Sequence, residues 1–258
     1  MRLQGRVAMV TGAGRGLGAV YAHALAREGA TIVVIDLNAQ GGEETARAIR
    51  EAGGQCMAYI GDLTDPIQIE HIMDDCIAAH GRLDILVNNA GGDPPGGSGA
   101  IEEANLAHWD RVFAMNLRTT LLCCQQAAGQ MKRQRSGKIV NISSRAARGT
   151  GWYSGLAPEY VCAKLGVIGL TRHVAKELGP YGINVNCMVP SFTISGPYLQ
   201  GVWDSMSQAE QETMLAQTPL RRLPRPEELA NVVVFLSSDE SSYITGAAID
   251  VNGGSFMG

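Results

Sequence analysis

The sequence predicts a doubly wound α/β domain, one parallel sheet with helices on both faces, and three observations carry that prediction. Short β-branched runs alternate with longer helical patterns from one end of the chain to the other. The first run is followed at once by a glycine-rich turn, Thr11–Gly18 (TGAGRGLG). No repeat, low-complexity tract or linker divides the 258 residues, so 1–258 is expected to form a single domain.

The elements follow in order. Val7–Thr11 is a continuous apolar run, as expected of a parallel strand buried on both faces, and Leu17–Glu28 is the helix behind it. Thr31–Asp36 (TIVVID) is the second strand, followed by a helix over about Glu43–Ala52. Gln55–Ile60, Ile85–Asn88, Lys138–Ser143, Asn184–Val189 and Ala247–Val251 complete a seven-stranded parallel sheet. Helices are predicted over Pro66–His80, Asn105–Met131, Glu159–Leu178 and Pro226–Ser237. Pro66 and Pro226 stand in first turns, where a missing N–H is tolerated. Two stretches break the rhythm. Gly91–Gly99 (GGDPPGGSG) is too rich in Gly and Pro for regular structure. Pro190–Pro219 is longer than a normal strand-to-helix connection, which predicts a lid over a cleft at 190–219.

Composition narrows the function classes. With 45% hydrophobic and 18% charged residues the chain can bury an ordinary globular core. A net charge of −4 argues against nucleic acid, and the cluster Lys132, Arg133, Arg135 and Lys138 reads as the cationic end of a helix. No apolar run approaches the ~18 residues that would cross a bilayer. The N-terminus lacks an apolar signal segment, so a cytoplasmic protein with no membrane partner is expected. Six cysteines without a C-x-x-C pair read as reduced thiols. The histidines have no partner at ligand spacing, and no metal site is expected.

The chemistry lies in a few positions. Tyr160 and Lys164 are four apart on a predicted helix and therefore share one face. A free phenol titrates near ~10, and a cation held beside it favours the phenolate. Such a pair is a way to build a general acid/base that works near neutral pH. The glycine turn opens the first helix, where backbone N–H groups and the helix dipole receive a pyrophosphate. Gly12, Gly16 and Gly18 form its G-x-x-x-G-x-G core, and Asp36 closes the second strand 18 residues beyond Gly18. That offset suits an acid on a ribose, which makes the domain Rossmann-type.

Taken together, these segments resemble the short-chain dehydrogenase/reductase family over essentially the whole chain. The matching motifs are TGAGRGLG, Asp36, GDLTD with Asp62, NNAG at Asn88–Gly91 and FAMN ending at Asn116. NISS ending at Ser144, YVCAK at Tyr160–Lys164, NVNCMVP ending at Pro190 and the C-terminal RPEELANVVVFLSSDESSYITGAAIDVNGG continue the series. The resemblance implies that Tyr160 gives and takes the proton and that Lys164 is both its electrostatic partner and a ligand of the nicotinamide ribose. It implies that Ser144 bonds the reacting oxygen and that Asn116 holds a water joining Lys164 to solvent. The implied cofactor contacts begin with Gly12, Arg15, Gly16, Leu17 and Gly18, then Asp36 and Leu37, with Asp62 and Leu63 at the adenine. Asn89, Ala90 and Gly91 line the cofactor, and Pro190, Thr193 and Ser195 cradle the nicotinamide amide. A homotetramer is also implied, with the helices 105–131 and 159–178 pairing across two-fold axes. This chain departs from the family in a 16-residue Ser144–Tyr160 spacing, Ala163 before Lys164, Ser191 after Pro190, and Pro224. These departures bear on pocket shape rather than on the reaction.

Two residues pull the cofactor choice in opposite directions. Arg15 can reach a 2′-phosphate, whereas Asp36 can accept hydrogen bonds from ribose hydroxyls. Leu37 and Asn38 add no second cation, so NAD is expected. Trp152, Tyr153, Phe192, Tyr198, Trp203, Met206 and Met214 are read either as an apolar wall for a ring-bearing or medium-sized alcohol or ketone, or as plain lid packing. Arg145 and Arg148 could meet an anionic substrate or pair with acids instead. The leading expectation is an NAD-dependent oxidoreductase exchanging a hydride with a secondary alcohol or its ketone. The alternatives are an NADPH-dependent 3-oxoacyl (acyl-carrier) reductase and a non-catalytic nicotinamide-sensing protein. The latter would be free to lose Asn116, Ser144, Tyr160 or Lys164, and all four are present.

Overall fold

The computed structural model describes residues 1–97, 101–149 and 157–257. Seven strands among them form one parallel sheet: β1 Val7–Thr11, β2 Thr31–Asp36, β3 Cys56–Ile60, β4 Ile85–Asn88, β5 Gly137–Ile142, β6 Ile183–Pro190 and β7 Ala248–Val251. Their order is β3-β2-β1-β4-β5-β6-β7. The chain winds outward in one direction from β1 and then in the other from β4. Between those two strands the crossovers leave on opposite faces, which opens a crevice at their C-terminal ends.

Helices cover both faces. On one side α1 Gly16–Arg27 and α9 Pro226–Ser237 bury Tyr21, Leu25, Leu229 and Val233 against Val10, Val34 and Val140, with α2 Ala39–Glu51 adding Ile49. On the other, α3 Pro66–His80, α5 Thr119–Gln134 and α6 Pro158–Leu178 bury Met73, Met131 and Leu178 against Met9, Val33 and Ile139. Each fully buried Leu or Ile contributes about 1.5–3 kcal/mol through removal from water. β1 is buried along its whole length, which explains why it reads as a continuous apolar run rather than an alternating one.

Two predicted helices are corrected. The second helix begins at Ala39 rather than near Glu43, because Asn38 caps it by accepting the Gly41 N–H at 2.9 Å. The helix expected over 105–131 is divided into α4 Leu106–Phe113, a π-turn over Ala114–Arg118, and α5. The stretch 190–219 contains α7 Pro197–Ser205 and α8 Gln208–Ala216, the second started by a Ser207–Glu210 capping box. Among the described residues, no helix is long and apolar enough to cross a membrane.

Candidate active site

The glycine turn is packed so closely that only glycine fits at its key positions. Gly12 and Gly16 have φ of +61° and +60°, in the left-handed region. A Cβ on Gly18 would fall 2.1 Å from the Gly12 carbonyl oxygen, and one on Gly14 would fall 2.8 Å from the Asp36 carboxyl carbon. The turn is tied to the loop after β4. Asn89 Nδ2 donates to the carbonyls of Thr11 and Gly12, each at 3.0 Å, and the Thr11 hydroxyl accepts the Asn89 and Ala90 N–H groups at the same distance.

Asp36 is fixed before any ligand arrives. Its Oδ2 accepts the Gly14 N–H and its Oδ1 accepts the Asn38 N–H, both at 2.8 Å. Neither bond exhausts a carboxylate oxygen, so both oxygens keep room for ribose hydroxyls. Among the described residues no Lys or Arg is ion-paired with Asp36, and Arg15 is exposed without an ion pair. Leu37 beside it is 71% exposed. Asp62 closes the turn after β3 by accepting from Thr64 N and Oγ1 at 2.9 and 2.7 Å. Leu63 is buried there, and its carbonyl accepts the Thr119 hydroxyl at 3.1 Å. Across the crevice, Ser195 Oγ lies 3.4 Å from where a Cβ on Gly16 would stand. Pro190 ends β6, and buried Thr193 donates its hydroxyl to the Ser191 carbonyl at 2.9 Å. The open glycine backbone and the anchored acid fit a dinucleotide.

Tyr160 and Lys164 do share a face of α6. The Lys164 ammonium stands 5.7 Å from the centre of the Tyr160 ring and donates to the Ile142 carbonyl at 3.1 Å. Burial pulls the buried Lys164 down to about 8. Burial also pushes the Tyr160 phenol up to about 12, against the opposing hydrogen bond of Ser144 and with help from the negative charge of Asp93. The expectation that Lys164 depresses the phenol is therefore overturned for the protein alone. Desolvation is the largest influence on the phenol.

Ser144 follows β5 and caps the short turn Arg145–Arg148, its Oγ accepting the Ala146 N–H at 3.1 Å. The neighbouring Ser143 hydroxyl donates to the Lys164 carbonyl at 2.7 Å and so ties β5 to α6, a contact no sequence signal announces. Asn116 sits in the π-turn. Its Nδ2 donates to the Gly92 and Val112 carbonyls at 2.8 and 2.9 Å, and its Oδ1 accepts the Gly92 N–H at 3.0 Å. Its side chain thus clamps the loop that follows β4. Gly91 lies against this clamp, where a Cβ would fall 2.5 Å from Asn116 Oδ1 and 3.4 Å from Lys164 Nζ.

Of the residues read as a substrate wall, Phe192 and Trp203 stack at 6.2 Å and Met214 is buried, whereas Tyr198 is exposed. Trp152 and Tyr153 lie outside the described residues. Arg148 turns away onto β7, while Arg145 stays half-buried beside Ser191, Phe192 and Met214. The sequence reading missed Asp93, His108 and Glu159, which gather beside Tyr160 but fall in no motif.

A family model described as enoyl-(acyl carrier protein) reductase matches residues 12–255. The chain is 38% identical over 267 residues to a cyclohexanol dehydrogenase of Rhodococcus sp. (strain TK6), covering 98% of this chain and 96% of that one. It is 39% identical over 260 residues to the 3-oxoacyl-(acyl-carrier-protein) reductase FabG of Staphylococcus aureus (strain Mu50), covering 97% and 98%. A solved 7α-hydroxysteroid dehydrogenase, complexed with NADH and 7-oxo glycochenodeoxycholic acid, superposes with a TM-score of 0.89 at 32% identity, covering 98% and 95%. The likeness runs along the whole chain, which belongs to the short-chain dehydrogenase/reductase family of CH–OH oxidoreductases.

Proposed function

We propose that the protein is an NAD-dependent dehydrogenase of a secondary alcohol, with Tyr160 as its acid/base. The observation that carries the cofactor choice is Asp36, anchored by two backbone N–H groups and, among the described residues, without a paired cation. A 2′-phosphate there would meet a fixed like charge. Gly12, Gly16, Gly18 and Asn89 would hold the pyrophosphate side, Asp36 the adenine ribose, and Lys164 the nicotinamide ribose. When bound, the nicotinamide supplies the hydride acceptor. Ser144 and Tyr160 would hold the alcohol oxygen. Tyr160, having first released its own phenolic proton by way of Lys164 once the positively charged nicotinamide favours the phenolate, would take the alcohol's proton as the C–H bond electrons leave as hydride. The products are a ketone, a reduced nicotinamide and the proton passed to Tyr160. Lys164, with its amine near neutral, is suited to relay that proton.

The segment 190–219 is assigned as the lid over the alcohol. Leu121 on α5 and Leu165 on α6 are 47% and 54% exposed, and a homotetramer pairing these helices would cover them. Six free cysteines suit the reducing cytoplasm. A second reading, an NADPH-dependent acyl-carrier reductase, is favoured by the likeness to the Staphylococcus enzyme and opposed by Asp36. The test is a screen of alcohols, ketones and 3-oxoacyl thioesters with both nicotinamides, for wild type and Tyr160→Phe. The substitution is expected to cut kcat by ~10²-fold or more while cofactor binding survives. Near-normal turnover by Tyr160→Phe, or highest efficiency with a thioester and NADPH, would overturn the proposal.

A further inference from the structure

Ionisable side chains with no task in the proton transfer lie under the loop that leaves β4. His108 of α4 and Glu159 of α6 are both buried, their side chains 7% and 3% exposed. His108 Nε2 stands 3.3 Å from Glu159 Oε1, yet the geometry leaves that nitrogen without a hydrogen bond. The loop passes close to this pair and to Ala157, whose Cβ would lie 2.5 Å from a Cβ on Gly97. A Cβ on Gly97 would fall 3.0 Å from Glu159 Oε1 and 3.2 Å from His108 Nε2, and one on Gly96 would fall 3.4 Å from His108 Nδ1.

Asp93 belongs to the same loop, one residue after Gly92, which Asn116 holds by both its N–H and its carbonyl. Its Oδ1 is shielded from solvent and has no hydrogen-bond partner. Burial raises the Asp93 carboxyl, the charge of Glu159 adds to the rise, and His108 opposes it. Asp93 in turn acts on the Tyr160 phenol, so the cluster borders the reacting centre. Buried polar atoms are nearly always paired, and orphans near a reaction centre are positions a ligand can complete.

We propose that Asp93, backed by His108 and Glu159, forms a polar subsite beside Tyr160 that binds a second hydroxyl group of the substrate. This rests on the alcohol dehydrogenase reading above. A hydroxyl both donates and accepts, so it can pair with the Asp93 oxygen and with either tautomer of the imidazole; an ammonium can only donate. The preferred substrates are therefore diols or polyols, with the second hydroxyl near the reacting carbon.

The test compares kcat/KM with NAD for cyclohexanol, the 1,2- and 1,3-cyclohexanediols and 2-aminocyclohexanol, in wild type, Asp93→Asn and Asp93→Leu. Wild type is expected to favour at least one diol over cyclohexanol by tenfold or more. Asp93→Leu is expected to bring that ratio below twofold through the KM of the diol. Asp93→Asn keeps an acceptor oxygen and should keep most of the ratio. Should Asp93→Leu fail to fold, as read by melting and NADH binding, Asp93→Ala is judged by the same ratio. A wild-type ratio below twofold, a ratio untouched by Asp93→Leu, or a preference for the amino alcohol over every diol would overturn the subsite while leaving the dehydrogenase reading intact. No turnover of any of these alcohols with either nicotinamide would overturn that reading, and the subsite with it.

Discussion

Arg148 grips Asp250 with two guanidinium nitrogens, Nε to Oδ1 at 3.0 Å and a terminal nitrogen to Oδ2 at 2.7 Å. The same terminal nitrogen reaches the Ala248 carbonyl at 3.2 Å, and the Phe256 ring lies 5.2 Å from the guanidinium carbon. The turn that carries Ser144 is thereby fixed to β7, more than a hundred residues away in sequence. Of the two readings of Arg148, the fork realises the pairing with an acid.

Arg148→Ala should therefore cost about 2–3 kcal/mol of stability, because it leaves Asp250 half-buried and unpaired. Arg148→Lys should recover little of it, since an ammonium cannot make both bonds of the fork. Chemical denaturation of the three proteins gives the comparison. A loss below ~0.5 kcal/mol for the alanine variant would mean that the pair is only a surface contact.

The cofactor choice has its own measurement. Wild type is expected to prefer NAD over NADP at least tenfold in kcat/KM, a gap of ~1.4 kcal/mol. Asp36→Ala removes the fixed charge, so NADP use should rise while NAD use falls. If NADP gains nothing from the substitution, the carboxylate is not what discriminates.

Gly18→Ala is expected to weaken nicotinamide binding by tenfold or more. The added methyl would collide with the Gly12 carbonyl, a backbone atom that cannot rotate away, and with Asn89 Nδ2 at 2.5 Å. Fluorescence titration with NADH reads the affinity. Wild-type affinity would show that the turn relaxes at no cost.

Lys164 sets a pH dependence with a definite sign. Unfolded, its amine holds a proton up to about its ordinary 10.5; folded, only up to about 8. Between those values the unfolded chain binds the extra proton, so raising the pH favours the folded state. The burden is fully present below 8 and is gone above 10.5. Cofactor-free wild type should thus gain on the order of 3 kcal/mol over this window relative to Lys164→Met. Parallel pH–stability curves for the two proteins would contradict the burial of a charged amine.

Much of this was legible in the chain because it depends on local geometry. The four-residue spacing of Tyr160 and Lys164 fixes their common face whatever surrounds them. Asp36 ends a strand beside a glycine turn, and its partners there are backbone groups that every sequence supplies. What depends on burial was not legible. The rise of the phenol comes from the packing of remote segments around Tyr160, which no spacing encodes. The π-turn at Asn116 escaped because one extra residue barely disturbs helical periodicity. α8 left a usable sign in the Ser207-x-x-Glu210 pattern, and α7 in the proline of its first turn.

The bonds of Asn89 to Thr11 and Gly12, and of Asn116 to Gly92, join the glycine turn and the loop carrying Asp93 into one mechanical body. This body is a physical path by which a dinucleotide on one side would be coupled to the loop on the other. Thermodynamic linkage then works in both directions: any factor by which cofactor tightens the hold on alcohol is the factor by which alcohol tightens the hold on cofactor. With the cofactor and the alcohol seated as proposed, the two ligands would be heterotropic effectors of each other through this shared stretch of backbone.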